Sequence, residues 1–213
     1  MRGLFITVEG GDGSGKTTAA LRLIEKLKKE GYLVTYTREP GGVAIAEQIR
    51  DVIVDVNNKE MDAKTEALLY AASRRQHLVE KVLPTLEKGG IVICDRFIDS
   101  SLVYQGIGRG LGVKEVYEMN LFATENVLPD LTVFFDVKPE IALKRVMSDD
   151  EREVNRLDLE SLDFHQKVYD GYLAICETFK DRIKKIDASL DKDGVYQQLE
   201  SLVEGQLCKI KNS

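Results

Sequence analysis

Residues 9–18 read EGGDGSGKTT, and within them Gly10, Gly15, Lys16 and Thr17 fit the spacing G-x-x-x-x-G-K-[ST]. Glycines at these positions let the backbone turn its N–H groups inward around an anion, and the start of the following helix adds its positive end. A lysine there reaches the outer phosphates of a nucleoside triphosphate, and the hydroxyl after it can ligate Mg²⁺. The motif carries this chemistry only between a strand and a helix. The apolar run Leu4–Val8 and the stretch TTAALRLIEKLKKEG supply both. Gly10, Gly11, Asp12, Gly13, Ser14, Gly15, Lys16, Thr17 and Thr18 therefore read as a triphosphate-binding loop. Farther along, IVICDR ends an apolar run on Asp95 and Arg96. A carboxylate at a strand end can hold water on Mg²⁺, so Thr17 and Asp95 are the metal candidates. Arg96 offers a planar fork suited to phosphate oxygens.

Phosphoryl transfer usually recruits a second cation besides the loop lysine, and this loop has none. Five further stretches offer candidates. TREPGG places Arg38, Glu39 and Pro40 at a turn, where charges beside Pro and Gly are as often plain turn chemistry. Arg50 stands on a helical face, a usual place for a solvated arginine. YAASRRQH sets Tyr70 and Arg74 four apart, on one side of a helix. Such a pair can stack on a base and hydrogen-bond its edge, although a core tyrosine beside a surface arginine has the same spacing. DSSLVYQG sets Ser101 four residues before Gln105, either a base-reading pair or a polar helix start capped by Asp99 or Ser100. SDDEREVNRLD is charged, without an apolar stripe. It reads as a solvated loop or as a lid that carries Arg152 and Arg156 over the triphosphate.

The elements that position these residues alternate. Short apolar runs recur at Leu4–Val8, Leu33–Thr37, Ile91–Cys94, Leu131–Val137 and Ile183–Ile186, with amphipathic helical patterns between them. This order predicts an α/β fold, a parallel sheet covered by helices on both faces. Ligands of such sheets sit outside the carboxyl ends of the strands, where the distinctive residues cluster. Pro84 interrupts a long helical pattern and is expected to end or kink it. With 213 residues and no Pro-, Gly- or Ser-rich linker, one domain over 1–213 is expected, with a lid at about 147–158. A net charge of −6 disfavours bulk nucleic-acid binding, and two histidines leave little for a metal cluster. Three scattered cysteines and no run of about 18 apolar residues point to a cytoplasmic chain without a membrane span.

Taken in order, FITVEGGDGSGKTT, TREPGG, AEQIRD, TEALLYAASRRQHL, CDRFIDSSLVYQG, LPDLTVFFDV and NRLDLESLDFHQKV resemble thymidylate kinases of the bacterial type, from about residue 4 to residue 170. The phosphate loop is generic, and TREPGG with CDRFIDSSLVYQG is much more specific. The resemblance implies a P-loop NTP hydrolase-like, three-layer α/β/α kinase fold with a five-stranded parallel sheet, a homodimer, and transfer of the γ-phosphate of ATP to thymidine monophosphate with Mg²⁺. By the same resemblance Asp12 contacts the acceptor's sugar, and Arg38, Arg50 and Arg96 its phosphate. Tyr70 stacks on thymine, and Arg74 and Gln105 bond its edge, with Ser101 beside them. Glu39 lies at the matching turn. A cis bond before Pro40 is implied by the resemblance as well. So is a catalytic arginine in the lid, Arg152 ahead of Arg156, because Ser14 stands where some members have the arginine. Many relatives carry Phe at the position of Tyr70 and Tyr at that of Phe97. Kinases of other nucleotides or deoxynucleosides share the loop and the Asp-Arg pair. A guanine-type switch would carry N-K-x-D, which NNKE at Asn57–Glu60 does not match.

Overall fold

Five parallel strands form one sheet: β1 (Leu4–Glu9), β2 (Val34–Arg38), β3 (Ile91–Asp95), β4 (Leu131–Asp136) and β5 (Ile183–Asp187). They lie in the order β2-β3-β1-β4-β5 in a computed structural model that describes residues 3–147 and 156–211. Each strand coincides with one of the five apolar runs. The inner strands β1, β3 and β4, buried on both faces, need apolar residues at nearly every position and read as runs rather than alternations. The edge strands β2 and β5 keep more exposed positions, Lys184 and Lys185 among them. Leu4, Ile6 and Val8 of β1 enter one core, while Phe5 enters the other.

On the first face, α1 (Lys16–Lys29) and α9 (Lys192–Lys211) cover the sheet through Leu23, Leu27, Leu199 and Val203. Burying each such leucine contributes about 1.5–3 kcal/mol. The second core is built from α4 (Leu83–Glu87), α5 (Ile98–Ser101), α6 (Val113–Thr124) and α8 (Leu162–Thr178). The remaining helices are α2 (Ala44–Val54), α3 (Ala63–His77) and α7 (Pro139–Met147). Asp62 caps α3, its Oδ1 accepting from the amides of Lys64 (3.0 Å) and Thr65 (3.1 Å).

Two places depart from simple helix. The pattern around Pro84 neither ends nor breaks. A π-helical turn, Leu78–Val82, joins α3 to α4, and the Leu83 amide bonds back to the Leu78 carbonyl. The wider turn places proline in the first turn of α4, where its missing N–H is tolerated. A second π-helical stretch, Leu102–Gly108, follows α5 and carries Gln105.

The strand order reverses at β1. The chain leaves β1 for β2, returns through β3, then passes over β1 to β4 and β5. In a sheet of this kind the crevice opens at that switch point, at the carboxyl ends. The register puts Val8 and Arg38 both level with Asp95 there.

Candidate active site

The phosphate loop leaves β1 at Glu9 and re-enters helix at Lys16. Gly13 (φ 80°) and Gly15 (φ 86°) lie in the left-handed region, and a Cβ on Gly13 would stand 2.2 Å from the Ala142 carbonyl oxygen of α7. Lys16 is buried and curls back over the loop, its Nζ donating to the Gly11 carbonyl at 3.1 Å. Burial, then the nearby Arg96, pull its pKa below the ordinary value. Thr17 Oγ1 donates to Asp95 Oδ2 at 2.7 Å, so the two metal candidates are neighbours, and the Tyr36 hydroxyl points to the same oxygen at 3.5 Å. The Ser14 hydroxyl is buried with no hydrogen-bond partner among the described residues, whereas Thr18 is exposed.

Beside the loop lies a cleft of about 640 Å³. Every residue the sequence assigned to an acceptor, from Asp12 to Gln105, lines it. Arg38 and Arg50 both donate to the Pro40 carbonyl, at 3.2 and 3.1 Å, and Arg38 also pairs with Glu47 at 3.1 Å. Burial, then its proximity to Arg38, lower the pKa of Arg50; Glu47 opposes this only in part. The Glu39–Pro40 bond is cis.

Arg96 occupies an unusual backbone state, φ 69° on a non-glycine residue. Its guanidinium pairs with Asp12 Oδ1 at 2.8 Å, donates to the Ser100 hydroxyl at 3.2 Å and lies 5.3 Å from the Tyr104 ring centroid. Asp12 and Arg96 thus stand between the phosphate loop and the cleft.

Tyr70 is half-buried on the cleft wall, one turn before Arg74. Arg74 is almost wholly buried. Its Nε donates to Glu39 Oε2 (2.7 Å), Nη1 to the Ser101 hydroxyl (2.9 Å) and to Asn120, and Nη2 to the Phe97 carbonyl (3.0 Å). The other oxygen of Glu39 meets His77 Nδ1 at 2.8 Å. Glu39 is therefore occupied as an anchor for Arg74. Phe97 is fully buried, its ring edge-on to Phe5 and 5.2 Å from the Arg74 guanidinium. Asp99 does not cap α5; it pairs in the core with Arg182 at 2.6 Å.

The lid candidates divide. Arg152 lies outside the described residues. Arg156, assigned by sequence to the donor nucleotide, opens a short 3-10 turn, Arg156–Leu159. Its guanidinium bonds the Ile53 carbonyl (3.0 Å) and Glu66 Oε2 (2.6 Å), toward the acceptor side, because a buried carboxylate there needs a cation.

Sequence reasoning missed Glu9, the charge that ends an otherwise apolar strand. It is fully buried and accepts from the Phe97 amide (2.7 Å), the Ser100 hydroxyl (2.5 Å) and the Tyr172 hydroxyl (2.9 Å). Burial, then the charge of Asp99, raise its pKa to about 7. A carboxylate inside such a run is itself a signal. Glu66, Tyr172 and Asn120 had none, since only tertiary contacts make them part of the site.

A glycine-rich loop between strand and helix, opening at the switch point of a parallel sheet onto an arginine-lined cleft, defines a P-loop nucleotide-binding protein. The family model for thymidylate kinase matches residues 8–199. Thymidylate kinase of Bacillus velezensis is 56% identical over 211 residues, covering 99% of this chain and 100% of that protein. That of Clostridium novyi is 54% identical over 204 residues, 95% of this chain and 99% of that one. The crystal structure of thymidylate kinase from Ehrlichia chaffeensis superposes with a TM-score of 0.77 at 32% identity, covering 96% of this chain and 99% of that one. The chain belongs to the thymidylate kinase family.

Proposed function

We propose that this chain transfers the γ-phosphate of ATP to the phosphate of thymidine monophosphate, yielding the diphosphate. One observation carries the assignment: Asp12 and Arg96 join the phosphate loop to a single cleft that also holds Arg38, Arg50, Tyr70 and Gln105. The loop holds the donor, Arg38, Arg50 and Arg96 face the acceptor phosphate, and the aromatic-amide end receives the base. An oxygen of the acceptor phosphate is already ionised near neutral pH, so attack on the γ-phosphorus needs no dedicated base. Catalysis is positioning and charge neutralisation, by Lys16 on the donor side and Arg96 on the acceptor side. Thr17 Oγ1 and Asp95 form an all-oxygen pair suited to Mg²⁺: the hydroxyl keeps its hydrogen on Asp95 and turns a lone pair outward. Bound there, Mg²⁺ would neutralise charge on the donor phosphates.

The engagement of both Glu39 oxygens counts against a deoxynucleoside acceptor, which needs a free carboxylate near its 5′-hydroxyl. We assign the missing cation to Arg152 in the lid at about 147–158 of a single domain. Arg152→Ala is expected to lower kcat by about 10³-fold or more with little change in the acceptor KM; an unchanged kcat removes the assignment. Cytoplasmic location fits Cys94, Cys176 and Cys208, all free thiols. No helix among the described residues is long and apolar enough to cross a membrane. The deciding experiment is ADP release from MgATP with each nucleoside monophosphate and nucleoside added separately. Strong stimulation by thymidine monophosphate alone is expected, and stimulation by another acceptor instead would overturn the base pocket.

A further inference from the structure

Glu66 of α3 is 1% exposed, yet it is the meeting point of three side chains. Its Oε1 accepts from Gln105 Nε2 at 2.9 Å and from Arg109 Nε at 3.3 Å. Its Oε2 accepts from Arg109 Nη2 at 3.2 Å and from Arg156 Nη2 at 2.6 Å. Burial opposes the charge on Glu66, but the hydrogen bonds from Gln105, Arg156 and Arg109 outweigh it and hold the carboxyl below its ordinary pKa. An ionised carboxylate only accepts, so the amide beside it must turn its NH₂ toward it. The reverse orientation would set the Gln105 carbonyl against a negative oxygen and leave a buried donor without this acceptor. Gln105 also forms part of the cleft wall. With its nitrogen held by Glu66, the group it turns to the cleft is its carbonyl oxygen.

We propose that Glu66 is a positioning residue for base selection: by fixing the Gln105 amide, it makes the cleft accept a base whose edge carries an N–H donor. The imide of thymine or uracil has one at N3. Cytosine has a lone pair at N3 and meets the carbonyl oxygen as a second acceptor. This inference rests on the acceptor reading given above. Arg109 and Arg156 keep Glu66 ionised, and Arg109 is itself held by Glu160 at 2.6 Å. The orientation of Gln105 is therefore set from three separate parts of the chain.

The test compares kcat/KM for thymidine and deoxycytidine monophosphates in the wild-type enzyme and in Glu66→Gln. The new amide gives its oxygen to Arg156 Nη2 and Arg109 Nη2 and turns its N–H to Gln105, giving up the longer bond from Arg109 Nε, and Gln105 then reverses. The preference for thymidine monophosphate is expected to fall by about tenfold or more, with the ATP KM unchanged. A merely weakened fold would lower both substrates alike, so an unchanged preference overturns the inference. Gln105→Ala separates the two levels. If it leaves the preference intact, the base pocket itself is misassigned. If it abolishes the preference and Glu66→Gln does not, only the role of Glu66 is lost. Should Glu66→Gln fail to fold, N3-methylthymidine monophosphate, which has no N3–H and keeps both carbonyls, tests the wild-type enzyme directly. Its kcat/KM is expected about tenfold or more below that of thymidine monophosphate, and equality overturns the inference.

Discussion

Glu9 stands directly before the phosphate loop with its carboxyl buried, and its surroundings disagree about its charge. Asp99 of α5 opposes ionisation, Arg96 and the amide of Phe97 favour it, and the hydroxyls of Ser100 and Tyr172 donate to it. Lys16 of α1 feels its charge as well. Burial prevails, and the pKa rises from 4.5 to about 7. Between these two values the folded chain holds a proton that the unfolded chain has released, so stability falls as pH rises through this window. The full effect is on the order of 3 kcal/mol, at about 1.4 kcal/mol for each pH unit that separates the folded from the unfolded value. Glu9→Gln cannot titrate. The stability of the wild-type protein minus that of Glu9→Gln, from urea unfolding at pH 5 and pH 8, should therefore drop with pH. A difference that stays constant would mean that Glu9 is ionised throughout. The residue was visible in sequence as a charge at the end of an apolar run, but Asp99, which opposes its ionisation, and the hydroxyls of Ser100 and Tyr172, which donate to it, lie far along the chain.

Elements were legible where one physical cause dominated. Parallel strands covered on both faces must be apolar throughout, so the inner strands β1, β3 and β4 stood out as runs, while the edge strands β2 and β5 showed only part of the pattern. The phosphate loop showed itself because its glycines answer to backbone geometry at fixed spacing. The π-helical turns did not, because a widened turn leaves the apolar spacing nearly intact while it absorbs Pro84 and sets the aim of Gln105. Glu66 was silent for a related reason: its importance comes from Gln105 and Arg156, which are distant in sequence. Loop glycines also differ among themselves. Gly13 has φ 80° and touches α7, whereas a Cβ on Gly11 would meet nothing within 4 Å. Gly13→Ala must strain its own backbone and push the Ala142 carbonyl, at a cost of about 1–3 kcal/mol. Thermal melting without nucleotide should drop by about 2–4 °C per kcal/mol. Gly11→Ala should melt with the wild type, and equal shifts for both variants would show that α7 does not constrain the loop.

At the scale of the whole molecule, the helices that cover the sheet leave some of their apolar residues in solvent. The helices α3 and α6 pack against each other, and each leaves an apolar residue in solvent: Leu68 is 59% and Phe122 is 89% exposed. Isolated exposed leucines are ordinary, but a phenylalanine left nearly bare on a helix points to a surface that another molecule covers. We propose that a second copy of this chain covers it. A two-fold interface uses the same patch twice, so every buried side chain there counts from both subunits. Complete burial of Phe122 would contribute about 1.5–3 kcal/mol per copy. Phe122→Glu should therefore convert a dimer to a monomer, read as mass by light scattering at micromolar concentration. Leu21→Glu provides the contrast, because Leu21 is 46% exposed on α1, which covers the opposite face of the sheet. That variant should remain dimeric. A wild-type protein of monomer mass would refute the proposal. A Phe122→Glu protein that keeps dimer mass would move the interface elsewhere. Because Arg74 of α3 reaches both Asn120 of α6 and the cleft wall, a dimer through these helices would brace the elements that hold the base. Loss of the dimer should then raise the acceptor KM more than the ATP KM, since the phosphate loop belongs to β1 and α1.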